Sequence, residues 1–314
     1  MHAVTIVDGK VEWREHPDPE PGTGELLVRV RAAGLNNADL IQVAGFYPAP
    51  PGSPQDIPGL ELAGEVVATG PGVQRFGVGD HVMAVVGGGG QAELAVVHER
   101  VAIPAPEALS WEDLGGFPEA FTTAHDALFT QCQLAVGERL CVHGAAGGVG
   151  LAAVQLGIAA GAHVVATVRH AEHRSQIDDL GANAVAPDEF VALGPYDVVF
   201  ELVGAPNIAA DLDALATHGR IVVIGTGGGA SAEVNLMAVM QKRAVLRGST
   251  LRTRSLEDKA QAARAVERHV LPLLIDGRVR VPVAASFPMD DAPSAYERFA
   301  AGKKFGKVVL VSSQ

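Results

Sequence analysis

The run Arg139-Leu140-Cys141-Val142-His143-Gly144-Ala145-Ala146-Gly147-Gly148-Val149-Gly150 constrains the fold of this chain more than any other stretch. An apolar, strand-like segment enters a glycine-rich turn. Val149, Ala153, Leu156 and Ala160 then recur at helical spacing and give one face to pack on a sheet. Glycine is needed there because a Cβ would block close approach of backbone to ligand and of helix to strand. With a strand before it and a helix after it, the turn offers backbone N–H groups and a helix N-terminus to a pyrophosphate; a tight turn holding no ligand is the alternative. From Leu140 to Val168 no Asp, Glu, Lys or Arg occurs, long enough to imitate a membrane span. Its six glycines, Gln155 and change of apolar period point to strand, turn, helix and strand instead.

The neighbouring pattern agrees. Beyond Pro118, strand-like runs at 139–143, 163–168, 197–201 and 220–224 alternate with helical stretches at 148–160, 172–180 and 208–217. That alternation predicts βαβ units and a doubly wound, Rossmann-type parallel sheet in an α/β chain. Ahead of Pro118, short alternating runs such as 26–31, 65–68, 81–86 and 93–97 are separated by Gly and Pro clusters, predicting an irregular β-rich domain. A long helix is expected over 255–276, stopped by Gly277, followed by strands near 281–285 and 307–311 that return the chain to the first domain. A length of 314 residues suits two domains, set at 1–118 with 252–314 and at 119–251.

Cofactor preference follows from the strand 163–168. A site that prefers NAD carries Asp or Glu at the end of this strand to bind the ribose 2′-OH. Here the strand ends in Arg169-His170, with His173 and Arg174 beyond it, and a guanidinium suits a 2′-phosphate. NADPH is therefore expected, the alternative being that both arginines merely solvate a helix start. Candidate cofactor contacts are Gly144, Ala146, Gly147, Gly148, Val149 and Gly150 in the turn, and Arg169, His173 and Arg174 at the second strand tip. Val203, Gly225, Thr226 and Ser249 join them at later strand ends, where open α/β sheets bind ligands.

Composition narrows the partners. A net charge of −12 repels polyanions, so no nucleic-acid partner is expected, and basic residues at Lys242, Arg243, Arg247, Arg252 and Arg254 read as a solvated or phosphate-facing surface. Two cysteines are too few for a disulfide framework, and Met1–Asp8 lacks a secretory pattern, so a cytoplasmic, membrane-free protein is expected. No Ser/His/Asp triad, paired carboxylates or metal cluster is legible, and His125 and His143 read as packing residues.

With those residues in hand, the chain resembles the zinc-independent quinone oxidoreductase branch, zeta-crystallin-like, of the medium-chain dehydrogenase/reductase superfamily. The resemblance rests on Ala33-Gly34-Leu35-Asn36-Asn37-Ala38-Asp39, Gly45-Phe46-Tyr47-Pro48, Gly59-Leu60-Glu61-Leu62-Ala63-Gly64, Gly79-Asp80-His81-Val82, Thr122-Thr123-Ala124 and the run from Gly137 through Gln155. The last is the most specific. Cys141 and Ile158 depart from the branch's usual Leu and basic residue, and an acidic residue, Asp188, stands near a tyrosine position associated with the 2′-phosphate.

The resemblance implies a GroES-like β-rich catalytic domain beside the nucleotide domain, and an NADPH-dependent enzyme passing hydride to a quinone. It implies that Asn36 and Tyr47 line the substrate pocket and that Thr123 sits beside the nicotinamide. Where zinc-dependent relatives carry a cysteine and a histidine, this chain has Asn36 and Leu60, which implies no metal. A homodimer joined through the edge near 244–247 is implied too. Reduction of a 2-alkenal or enoyl C=C bond is the alternative reaction, and a non-enzymatic NADPH-binding role, crystallin-like or RNA-associated, the alternative to catalysis.

Overall fold

The computed structural model describes residues 1–312 and divides the chain into two compact units, Met1–Thr122 with the segment from Leu251 onward, and Thr123–Thr250.

The second unit is built on six parallel strands. Across the sheet they run Asn183–Val185, His163–Thr167, Arg139–Val142, Tyr196–Glu201, Leu215–Val223 and Val245–Gly248. Numbered along the chain, that order is 3-2-1-4-5-6, so the winding reverses between Arg139–Val142 and Tyr196–Glu201, and a ligand crevice opens at such a reversal. Leu140, Cys141, Val142, Val198, Val199 and Phe200 are fully buried, as strands covered on both faces must be.

Two helices are shorter than the spacing predicts. The stretch 208–217 is helical only over Ile208–Ala214, because Leu215 pairs with Tyr196 and begins the next strand. The stretch 172–180 is a 3₁₀ turn, Ala171–His173, running into the helix Arg174–Asp178. The outer strand Val245–Gly248 is exposed along its length, and Leu236, Met237 and Met240 of the helix Leu236–Lys242 are exposed as well.

The first unit carries a seven-stranded sheet and a separate hairpin, His2–Val7 with Lys10–Glu15. Its central strand, Glu25–Gly34, pairs antiparallel with Glu61–Thr69, with Leu94–His98 and with the C-terminal strand Lys307–Val311. Val4, Leu26, Val28, Leu62, Val82 and Leu310 share one buried core. That pairing carries Lys307 from the far end of the chain into the interior beside Glu61.

The helix expected over 255–276 is two helices, Leu256–His269 and Leu271–Ile275. Pro272 has no N–H to donate, and the chain breaks at Val270 instead of continuing. Among the described residues no helix is long and apolar enough to cross a membrane.

Candidate functional site

The glycine turn lies at the reversal of the sheet. Gly144 has φ +66°, a left-handed conformation that a side chain disfavours, and it turns the chain out of the strand. Gly147 caps the helix Gly148–Ala159 in extended conformation, φ −81° and ψ 165°. At Gly150 a Cβ would lie 2.5 Å from the Gly144 carbonyl oxygen, so helix and turn touch through backbone. At Gly147 the nearest atom to such a Cβ is the same oxygen at 3.6 Å, which leaves the outer face of the turn open. Ala146, Gly147, Gly148 and Val149 are half-buried there. A helix of 12 residues directs its unpaired N–H groups and positive dipole end at this opening, so the residues fit a dinucleotide pyrophosphate.

The remaining cofactor candidates also stand at C-terminal strand ends. Arg169 is exposed just past His163–Thr167, and Arg174 Nε donates to the Val168 carbonyl at 3.3 Å, folding that side chain back over the strand tip. His173 is paired through Nδ1 with Gln176 Oε1 at 3.2 Å. Val203 and Gly225 are half-buried and Thr226 is exposed, in turns that follow neighbouring strands. Ser249 Oγ donates to Asp126 Oδ2 at 3.2 Å. Asp188 is exposed in the turn after Asn183–Val185.

Beneath these turns lies a cluster the sequence pattern did not disclose. His143 is no simple packing residue. Its Nε2 is 2.8 Å from Asp211 Oδ1 and 4.0 Å from Glu201 Oε2, and its Nδ1 is 3.0 Å from Thr167 Oγ1, with all four side chains buried. Glu201 in turn accepts from the backbone N–H groups of Val203 and Gly204, the latter at 2.8 Å, and from Asn207 Nδ2 at 2.9 Å. One imidazole thus ties together the tips of three strands that carry cofactor candidates. Two carboxylates lie close together here, with an oxygen of each within 4.8 Å of the other, which the fold alone reveals.

His143, Glu201 and Asp211 offer three ligand atoms within 4.8 Å of one another. Ligands about 2.0 to 2.2 Å from a tetrahedral zinc stand more than about 3 Å apart, so the 2.8 Å contact is a hydrogen bond. Burial works against a charged His143 ring, but the Asp211 carboxylate and the Cys141 thiol outweigh it and push the ring up to about 10. Burial raises Glu201, opposed by His143 and reinforced by Asp211.

In the first unit, Asn36 precedes the helix Asn37–Val43, and its backbone N–H donates to Asp39 Oδ2 at 2.8 Å. Its side chain is committed inside the protein. Nδ2 donates to Glu61 Oε1 at 2.9 Å and to the Gly34 carbonyl at 3.3 Å, while Oδ1 accepts from Lys307 Nζ at 2.8 Å. Both amide hydrogens thus serve the buried Glu61–Lys307 pair and the strand beside it, so at the substrate pocket that the resemblance implies for Asn36 its amide is already committed as a donor. Burial raises Asp39 to about 6, against the backbone N–H of Asn36 and the charge of Lys307.

Tyr47 is half-buried, and its hydroxyl makes no hydrogen bond among the described residues. Arg252, expected at a solvated or phosphate-facing surface, is 3% exposed. It lies 4.8 Å from the Tyr47 ring centroid and donates to the carbonyls of Tyr47 at 2.9 Å and Gly87 at 2.8 Å, and to Gln42 Oε1 at 2.5 Å. Burial raises the Tyr47 hydroxyl, so it keeps its proton through neutral pH. Thr123 is buried on the helix Pro118–His125, in the second unit.

His143 yields a direct expectation. A ring raised from 6.5 to about 10 stabilises the fold fully below pH 6.5, and that contribution is lost as pH rises toward 10. His143→Gln is expected to lose about 3 to 5 kcal/mol at pH 7, as when one partner of a buried pair is removed, and less at pH 10. Urea denaturation of both proteins across pH 6.5 to 10 reads this; equal losses at every pH would show that the ring is neutral.

The family model for the alcohol dehydrogenase GroES-like domain matches residues 22–107, and that for a zinc-binding dehydrogenase matches residues 176–310. The zinc of the latter name does not fit, because the amide of Asn36 and the alkyl side chain of Leu60 replace the thiolate and imidazole of zinc-dependent relatives. A quinone oxidoreductase of Pseudomonas aeruginosa is 33% identical over 96% of this chain and 95% of its own. One from Rattus norvegicus is 30% identical over 93% and 91%. The crystal structure of the quinone oxidoreductase from Thermus thermophilus, also solved in complex with NADPH, superposes with a TM-score of 0.85 at 32% identity, over 99% of this chain and 100% of that one. The glycine turn at the sheet reversal, Asn36 and Leu60 in the β-rich unit and this near-complete overlap place the chain in the zinc-independent quinone oxidoreductase branch of the medium-chain dehydrogenase/reductase superfamily, as an NAD(P)-dependent oxidoreductase.

Proposed function

We propose that the protein is an NADPH-dependent quinone reductase. The observation that carries the cofactor choice is the exposed Arg169 at a strand tip where an NAD-preferring site would place a carboxylate. The glycine turn holds the pyrophosphate through Ala146–Val149, Gly150 keeps the helix seated, and Arg169, with His173 and Arg174 beside it, receives the 2′-phosphate. Val203, Gly225, Thr226 and Ser249 border the rest of the cofactor, and Thr123 borders the nicotinamide. When bound, the cofactor supplies the hydride.

Tyr47 is the donor toward the substrate carbonyl. Its protonated, unpaired hydroxyl stabilises negative charge growing on a quinone oxygen, and Arg252 fixes the loop that carries it. Asn36 acts one step back, holding Glu61 and Lys307 in place. The quinone substrate is supported by the relatives named above.

NADPH consumption is the test, with an ortho-quinone, a para-quinone, a 2-alkenal and no acceptor, and NADH in parallel. Turnover with the quinones and a preference for NADPH are expected. Arg169→Ala is expected to weaken NADPH by about ten- to a hundredfold, the loss of about 1.5 to 3 kcal/mol of a charge-assisted contact, and to leave NADH unchanged. Equal use of both cofactors by the wild type overturns the cofactor choice, and turnover of the alkenal alone moves the reaction to C=C reduction.

The chain is also proposed to dimerise through the exposed edge Val245–Gly248, whose unpaired backbone groups suit pairing with the same strand of a second copy. Sedimentation at micromolar concentration is expected to give a dimer; monomer alone refutes it.

A further inference from the structure

A groove of about 660 Å³ in the first unit lies along the helix Leu256–His269, and four of its side chains are arginines. We propose that it is a binding site for a compact, multiply charged oxyanion of the phosphate type. The nucleotide turn belongs to the other unit, so the two sites are distinct.

Two of the guanidiniums are fixed before any ligand arrives. Arg75 Nη1 donates to the carbonyls of Glu99 and Ala102, each at 3.3 Å, and Arg264 Nη2 donates to the Ala102 carbonyl. Both turn toward one carboxylate. Arg75 Nη2 stands 3.2 and 3.1 Å from the two oxygens of Glu267, and Arg264 pairs with Glu267 as well. Glu267 therefore marks how a planar fork of N–H donors grips an oxyanion here, and a single carboxylate answers two positive charges. Arg264 Nε is buried with no hydrogen-bond partner among the described residues.

The remaining two arginines of the groove add more positive charge. Arg268 Nε donates to the Arg264 carbonyl at 3.2 Å, and its guanidinium meets no carboxylate among the described residues. Arg100 is paired with Glu257 at 2.5 Å, and both side chains are largely exposed. The remaining nearby acid, Glu99, is turned into the backbone N–H groups of Gln74 and Arg75 at 2.8 Å. Four arginines thus face two glutamates, on a chain whose net charge is −12. This local positive excess draws a small polyanion that replaces the glutamates as partner of the guanidiniums, whereas an extended polyanion meets repulsion from the rest of the surface.

Calorimetric titration tests this with inorganic phosphate and, in a second arm, glycerol phosphate, with sodium chloride holding ionic strength constant against plain screening. Wild-type protein is expected to bind phosphate saturably. The double variant Arg100→Gln/Arg268→Gln, altered at exposed positions, is expected to bind at least about tenfold more weakly with unchanged melting temperature and unchanged NADPH turnover. Arg264→Gln is expected to weaken binding too. Tighter binding of the ester than of free phosphate assigns the site to a phosphomonoester, and the reverse order assigns it to the free anion; either supports the site. No saturable binding by the wild type, or equal affinity in wild type and double variant, overturns it.

Discussion

The close backbone approach of the helix Gly148–Ala159 to the turn before it governs the nucleotide-binding unit. Gly150 has no Cβ, and the 2.5 Å separation that one would have from the Gly144 carbonyl leaves room for nothing larger. Seated this way, the helix points its first N–H groups across the reversal of the sheet, where Arg139–Val142 and Tyr196–Glu201 lie side by side. The same seating leaves Gly147 open toward solvent. Close packing and an open face therefore divide between two glycines three residues apart.

Each unit holds a buried polar cluster. In the second unit, His143 joins Thr167, Glu201 and Asp211; in the first, Lys307 joins Asn36 and Glu61, with Leu35 supplying a carbonyl at 2.9 Å. Such clusters add little net stability over apolar packing, but each hydrogen bond lost inside one is costly, so they hold geometry well. Glu201 holds the turn at Val203 and Gly204 directly. In the first unit's cluster Asn36 is committed to an ammonium and a carboxylate.

The sequence made the parallel sheet, the glycine turn and the strand ends legible, because period, glycine spacing and the missing carboxylate at Arg169 are local signals. The clusters were hidden because their members are distant in sequence: His143 and Asp211 are 68 residues apart, Tyr47 and Arg252 are 205, and Glu61 and Lys307 are 246. Arg252 looked like one more basic residue in a charged stretch, and only the fold turns it inward beneath Tyr47. The break at Val270 is marked in the sequence by Pro272, a local signal that the expectation of one helix over 255–276 did not use. The early end of the helix at Ala214 had no such signal, since pairing of Leu215 with Tyr196 decides it.

The claim that the open face of the glycine turn binds the cofactor is tested most directly by fluorescence titration of NADPH against wild type and Gly147→Val. The extended backbone at Gly147 accepts a valine, and its Cβ meets no protein atom nearer than 3.6 Å, so the variant is expected to fold with a melting temperature within a few degrees of wild type. Its affinity for NADPH is expected to fall at least about tenfold, because the added side chain stands where the pyrophosphate approaches. A folded Gly147→Val protein that binds NADPH as tightly as the wild type would contradict the account.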